Sequence, residues 1–131
     1  MRKKSTLYLL FNHKLTQEQE KNAYETLSIE KVIYFPEELL NIWRNISPEV
    51  ESLSELLEPI IVFMDREFSH GDYLLVQGDL GATYLIAERA KQLNITPLYA
   101  TTKRVATENI VDGKPIKTSI FSHVRFRAYG V

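Results

Sequence analysis

The chain has 131 residues, 44% of them hydrophobic and 25% charged, which is the balance of one ordinary globular domain spanning residues 1–131. Its net charge of −1 argues against a protein built to grip long nucleic acid, so any anion site must be a local concentration of positive charge. The absence of cysteine excludes disulfides, thiolate metal sites and cysteine nucleophiles, and it suits a reducing, cytoplasmic setting.

No apolar run approaches the roughly 18 residues of a membrane span, and none is expected to enter a bilayer. The basic start, Met1-Arg2-Lys3-Lys4, reads as a polar lead-in, because the apolar stretch behind it is too short for a signal peptide. Residues 7–11 are short, apolar and aromatic-rich, the pattern of a strand buried on both faces, and Asn12-His13 break it. Thr16 with Gln19 forms a capping-box signature that predicts a helix over 17–27. A second strand is predicted over 31–35. Pro36, Glu37 and Glu38 then open a helix with Leu39, Trp43 and Ile46 inward. Ser47-Pro48-Glu49 repeats that start signal, and an apolar stripe continues to about Phe68, with Pro59 expected to kink or restart the helix.

Residues 72–77 give the clearest buried strand. The loop Gly78-Asp79-Leu80-Gly81-Ala82-Thr83 leads into a helix reaching 93, and a fourth strand is predicted over 97–100. Alternation of strand and helix predicts an α/β fold: a parallel sheet with helices on both faces, ordered 2-1-3-4, with a C-terminal β-hairpin or edge strand beside it. Asp112-Gly113 is the hairpin signal. In the tail, Phe121, His123, Arg125, Arg127 and Tyr129 are expected to point one way by simple alternation.

Ligands of open parallel sheets bind beyond the carboxyl ends of the strands, which here means Asn12-His13, residues 77–83 and residues 101–104. Gly78 and Gly81 leave backbone N–H groups accessible at a helix start, Thr83 adds a hydroxyl, and Gln77 flanks the turn. Asp79 is equally well explained as the helix N-cap. Thr101, Thr102, Lys103 and Arg104 supply two hydroxyls and two cations at one strand end. The charges at His123, Arg125 and Arg127 fit either phosphate binding or protection of an edge strand. His70 falls at the opposite end of the sheet. No pair of histidines and no close set of carboxylates is spaced for a metal, and no GxSxG elbow is present.

The segments LYLLFNHKLTQEQ, YFPEELLNIWRNI, DYLLVQGDLGATYLI, PLYATTKR and FSHVRFRAY together resemble a family of small stand-alone ring nucleases that accompany type III CRISPR systems. The resemblance implies a reduced, CARF-like version of a three-layer Rossmann-like domain. It implies degradation of cyclic oligoadenylate, above all cyclic tetra-adenylate, switching off antiviral signalling. It also implies metal-independent attack of a ribose 2′-hydroxyl on the adjacent phosphate, giving linear product with a 2′,3′-cyclic phosphate and needing no cofactor. On that view His13, Lys103, Arg104 and His123 are the catalytic candidates. Asn12, Gln77, Gly78, Asp79, Gly81, Thr83, Thr101, Thr102 and Arg125 are the substrate-binding ones. A four-nucleotide ring has rotational symmetry, so a homodimer is expected to share it. A non-catalytic sensor or sequestering protein would use the same cations, and a flavodoxin-like mononucleotide binder is the reading that sets the family aside.

Overall fold

The computed structural model describes residues 4–131, so Met1, Arg2 and Lys3 of the basic lead-in lie outside the described residues. In chain order the elements are β1 (Ser5–Leu10), α1 (Gln17–Thr26), β2 (Ile29–Tyr34), α2 (Glu37–Arg44), α3 (Ser54–Glu67), β3 (Tyr73–Val76), α4 (Leu80–Gln92), β4 (Thr96–Val111) and β5 (Lys114–Ala128). The strands form one sheet in the order β2-β1-β3-β4-β5, which extends the order expected from sequence. The first four run parallel, whereas β5 pairs antiparallel with β4. The fold is therefore mixed α/β with a mixed sheet, not a purely parallel one. Among the described residues no helix is long and apolar enough to cross a membrane.

The strands carry their apolar residues on alternating sides, and these divide by parity into two clusters. Tyr8, Leu10, Leu74 and Val76 join Trp43, Leu57, Ile60, Met64 and Ile86 from α2, α3 and α4. Leu7, Leu9, Leu75 and Leu98 join Ala23 of α1 and Phe126 of β5. The two sides are called below the α4 face and the α1 face. β1 sits centrally, with Leu7, Leu9 and Leu10 wholly buried, which is why its run reads as continuously apolar.

Local chemistry sets most boundaries. Thr16 accepts from the Gln19 backbone N–H while the Gln19 side chain accepts from Thr16 N–H, the reciprocal box that starts α1. Asp79 Oδ1 accepts from Ala82 N–H at 2.9 Å and starts α4. Asp112 and Gly113 both have positive φ, 53° and 74°, as a two-residue hairpin turn requires. Two expectations are corrected. Ser47-Pro48-Glu49 lies in a turn and α3 begins only at Ser54, so the second helix start is displaced. α3 also runs through Pro59 without a break, its lost donor falling in the exposed second turn.

One contact fixes the turn after β3. The Trp43 indole N–H donates to Gln77 O at 2.9 Å, and a Cβ on residue 78 would lie 2.6 Å from Trp43 Nε1 and 2.8 Å from Cε2. Gly78 is thus required by a buried indole, independently of any ligand. At Gly81 the nearest contact of a Cβ would be an ordinary 3.5 Å. Gly78→Ala is expected to cost about 1–3 kcal/mol from overpacking. Gly81→Ala is expected to be neutral or to add up to about 1 kcal/mol through helix propensity. Urea unfolding midpoints of the two variants check the contrast.

Candidate functional site

Two of the three expected loops leave the same carboxyl edge of the sheet. Leu10 pairs with Val76, and Gln77 N–H donates to Leu10 O, so Asn12-His13 and Gln77-Gly78 diverge from neighbouring strand ends. Gln77 Oε1 accepts from Ala100 N–H at 2.9 Å, joining the end of β3 to β4 beyond their common register. Asn12 and His13 are exposed there, with the His13 ring 6.5 Å from that of Phe11.

Residues 101–104 differ from expectation. They do not end a strand: β4 continues to Val111 and forms with β5 a long two-stranded arm beyond the body of the sheet. Thr101 Oγ1 donates to Arg125 O and accepts from Arg125 N–H, so that hydroxyl closes the ladder.

The tail alternation is also corrected. Thr101 pairs with Arg125 but Thr102 pairs with His123, so Val124 is an extra residue in β5, a bulge that reverses the facing of everything before it. Arg125 and Arg127 share the α4 face with Tyr99, Thr101 and Lys103. His123 and Phe121 fall on the α1 face with Thr102 and Arg104, whose Nε donates to Ser119 Oγ. The catalytic candidates are thus divided: Lys103 faces one way, and Arg104 and His123 face the other.

His123 is held as a packed residue. Its Nε2 lies 2.8 Å from Asn22 Oδ1, which can only accept, so Nε2 carries the proton. Its ring stands 4.8 Å from Phe126, and its buried Nδ1 has no partner. Protonation would leave a second buried donor unpaired. Burial accordingly lowers its pKa from 6.5, against a weaker upward pull from Glu18.

On the α4 face, a hollow of about 610 Å³ opens between α4 and β4, walled by Tyr84, Tyr99, Tyr129, Leu80 and Thr83. Arg127 Nη1 donates to Tyr99 Oη at 3.0 Å, its guanidinium 5.5 Å from the Tyr99 ring centre. Tyr129 tilts against Tyr99 at 4.8 Å and donates its hydroxyl to Val76 O. Burial, then the neighbouring Tyr99, raises the Tyr129 pKa. Donation of its hydroxyl to the Glu88 carboxylate, one turn along α4, raises that of Tyr84. Ion pairs among the described residues join Lys21–Glu25, Arg44–Glu37, Arg66–Glu67 and Arg89–Asp65, leaving Lys103, Arg104, Arg125 and Arg127 unpaired. Asp79, by contrast, brings a carboxylate to the α4 start, which lessens the case for a phosphate there.

Sequence reasoning passed over Tyr84 and Tyr99 entirely. The signal present was two tyrosines beside a predicted strand-end glycine turn, one on the helix that follows and one in the adjacent strand.

Residues 5–127 match the family described as "Uncharacterized protein MJ1673 family". The chain belongs to the MJ1673 family. A relative in Methanocaldococcus jannaschii, "Uncharacterized protein MJ1673", is 43% identical over 123 residues, which cover 94% of this chain and 95% of the relative. No solved structure matches the chain. The match to the MJ1673 family takes in the Gly78 turn, both strands of the arm and the bulge.

The environment of His123 has a consequence for stability. The neutral imidazole is favoured in the folded state, and the unfolded chain binds the extra proton more readily below 6.5. Its contribution is full above that value and is lost as pH falls through the lowered folded value. Unfolding free energies measured from about pH 7.5 down to about pH 5 are expected to fall more steeply for the native chain than for His123→Gln.

Proposed function

We propose that this protein binds and cleaves a small cyclic oligoadenylate, above all cyclic tetra-adenylate, as a metal-independent ring nuclease. The observation that carries the reading is one sheet face on which an aromatic hollow adjoins the unpaired cations Lys103, Arg125 and Arg127. The resemblance of the whole chain to ring nucleases supplies the substrate. The topology β2-β1-β3-β4, with apolar clusters on both sides, supports the finer view of a three-layer, Rossmann-like and CARF-like domain.

In the proposed reaction a ribose 2′-oxygen forms a bond to the neighbouring phosphorus while the bond to the 5′-oxygen breaks. The 2′-hydroxyl gives up its proton and the departing 5′-oxygen gains one. The product is a linear oligonucleotide ending in a 2′,3′-cyclic phosphate. Lys103 and Arg125 would neutralise charge developing on the phosphoryl oxygens. His13 is the histidine suited to moving the proton, being exposed on the carboxyl edge beside the Gly78 turn. Holding the ring with attacking and leaving oxygens in line would supply the rest. Arg104 and His123 are given no part, because register turns them to the opposite face.

A homodimer is part of the proposal. The arm face that continues from Lys103 and Arg125 carries Val105, Val111, Ile116 and Ile120, all exposed, and a two-stranded ribbon is marginal in water alone. A second copy laid against that face would cover these side chains and double the cations around a symmetric ring. The sensor reading shares the same face and differs only in lacking the cleavage step.

Incubation with cyclic tetra-adenylate in EDTA is expected to yield linear product bearing the cyclic phosphate. Binding without product would favour the sensor, and neither would sink both readings. Arg125→Ala is expected to slow cleavage roughly a hundredfold, whereas Arg104→Ala stays within a few-fold of the native rate. Light scattering is expected to give a dimer, and Val105→Glu combined with Ile120→Glu a monomer.

A further inference from the structure

The hollow between α4 and β4 has a chemistry of its own. Its walls are mainly aromatic and aliphatic, and its volume of about 610 Å³ is that of a site for one compact organic ligand; such sites run to roughly 300–1,000 Å³. It is too small for four nucleotides together. Tyr84 is 67% exposed and lines the hollow, so its ring is open to a ligand laid against it. Tyr99 is held by contact with Tyr129 and Arg127, so its ring is oriented with little freedom left to lose.

The polar groups around this hollow are few and specific. Thr83 is only 9% exposed, lines the hollow, and its Oγ1 is buried without a hydrogen-bond partner. A buried hydroxyl left unpaired costs free energy, and because this oxygen is closed to solvent a ligand group recovers that cost only as the Thr83 side chain turns toward the hollow. Glu88 and Lys91 stand on the same wall as an acceptor and a donor. Arg125, opposite Thr101, and then Lys103 follow Tyr99 along the same sheet face, on the side toward which a group attached to whatever fills the hollow can extend.

A ligand answering to all of this is flat and aromatic, carries hydrogen-bonding edges, and is joined to a phosphate. We infer that the hollow is a nucleobase pocket: it receives one purine base per chain, with Tyr84 and Tyr99 against the ring, Thr83 Oγ1 at its edge, and the attached phosphate directed toward Arg125 and Lys103. A purely apolar ligand would make no use of the cations along this face, and an inorganic anion none of the tyrosines. The inference rests on the cyclic oligoadenylate reading for the choice of a purine; the pocket itself calls for a flat base joined to a phosphate.

The test separates the two. Adenosine 5′-monophosphate is titrated into the full chain labelled with 15N and 13C, and the resonances of Thr83, Tyr84 and Tyr99 are followed. The same titration is run with ribose 5-phosphate. AMP is expected to shift those three residues saturably, and ribose 5-phosphate to leave the tyrosines unmoved. Tyr99→Ala and Tyr84→Ala are each expected to weaken AMP binding about tenfold or more, the loss usual when a stacking partner is removed. Thr83→Val, nearly isosteric, is expected to weaken it severalfold with the thermal midpoint unchanged or raised. No saturable shift at these residues, or equal shifts with the base-free sugar phosphate, would overturn the pocket. Saturable AMP binding without cleavage of cyclic tetra-adenylate would uphold the pocket while the ring-nuclease reading falls. Cleavage that persists at native affinity in both tyrosine variants would overturn the pocket and leave that reading standing.

Discussion

Between Arg125 and His123, β5 advances two residues while β4 advances one, from Thr101 to Thr102. The ladder absorbs the difference at Val124, and every side chain of β5 on the amino side of that point exchanges faces. Without the bulge, His123 would join Arg125 and Arg127 over Tyr99, and Phe126 would keep its place in the α1 cluster beside no histidine at all. With it, His123 is delivered to Asn22 and Phe126, and the charges that β4 and the base of β5 turn to the α4 face are the cations Lys103, Arg125 and Arg127. One inserted residue therefore decides which charges meet the hollow, and it sets the direction of every other argument about this site.

The parts of the fold legible in the sequence are those where local chemistry and burial agree. β1 from Leu7 onward and β3 are apolar at every position because both faces are covered, and the reciprocal bonds of Thr16 and Gln19 require nothing beyond four consecutive residues. Asp79 announced itself as an N-cap for the same reason, and Asp112-Gly113 as a turn. Gly78 was conspicuous in the sequence, but its reason lay 35 positions away in Trp43, a long-range contact that no window of residues reveals. Read alone, a glycine at a strand end suggests an approaching ligand; in the structure it accommodates an indole.

What was not legible has a common physical origin. The outer part of β4 and β5 has no buried face, so it lacks the hydrophobic period by which strands are recognised, and Thr101, Thr102, Lys103 and Arg104 look like a polar loop. Only cross-strand pairing makes them a strand. A bulge leaves no compositional mark at all, so strict alternation was the natural and incorrect expectation for the tail. The tyrosine hollow was missed because it is assembled from α4, β4 and the chain after β5, and each tyrosine by itself is as well explained by a half-buried surface.

The electrostatics follow from where the arm lies. The chain carries net −1, yet the segment from 101 to 128 holds Lys103, Arg104, Lys114, Lys117, Arg125 and Arg127 against only Glu108 and Asp112. Positive charge is concentrated on the arm and the base of the sheet, while the helices carry most of the carboxylates. From Tyr99 to Lys103 is four residues, about 14 Å at the rise of a β-strand, and beyond Lys103 that face turns apolar with Val105 and Ile120. A cationic stripe so short, closed at one end by hydrocarbon and at the other by an aromatic hollow, cannot follow an extended polyanion. Screening in physiological salt acts over about 8 Å, so the distant carboxylates do little to weaken the stripe for a ligand seated on it, although they cancel its pull on anions farther away. On the reading proposed above, that geometry suits an anion that is compact, carries few phosphates and brings something flat to place against tyrosine.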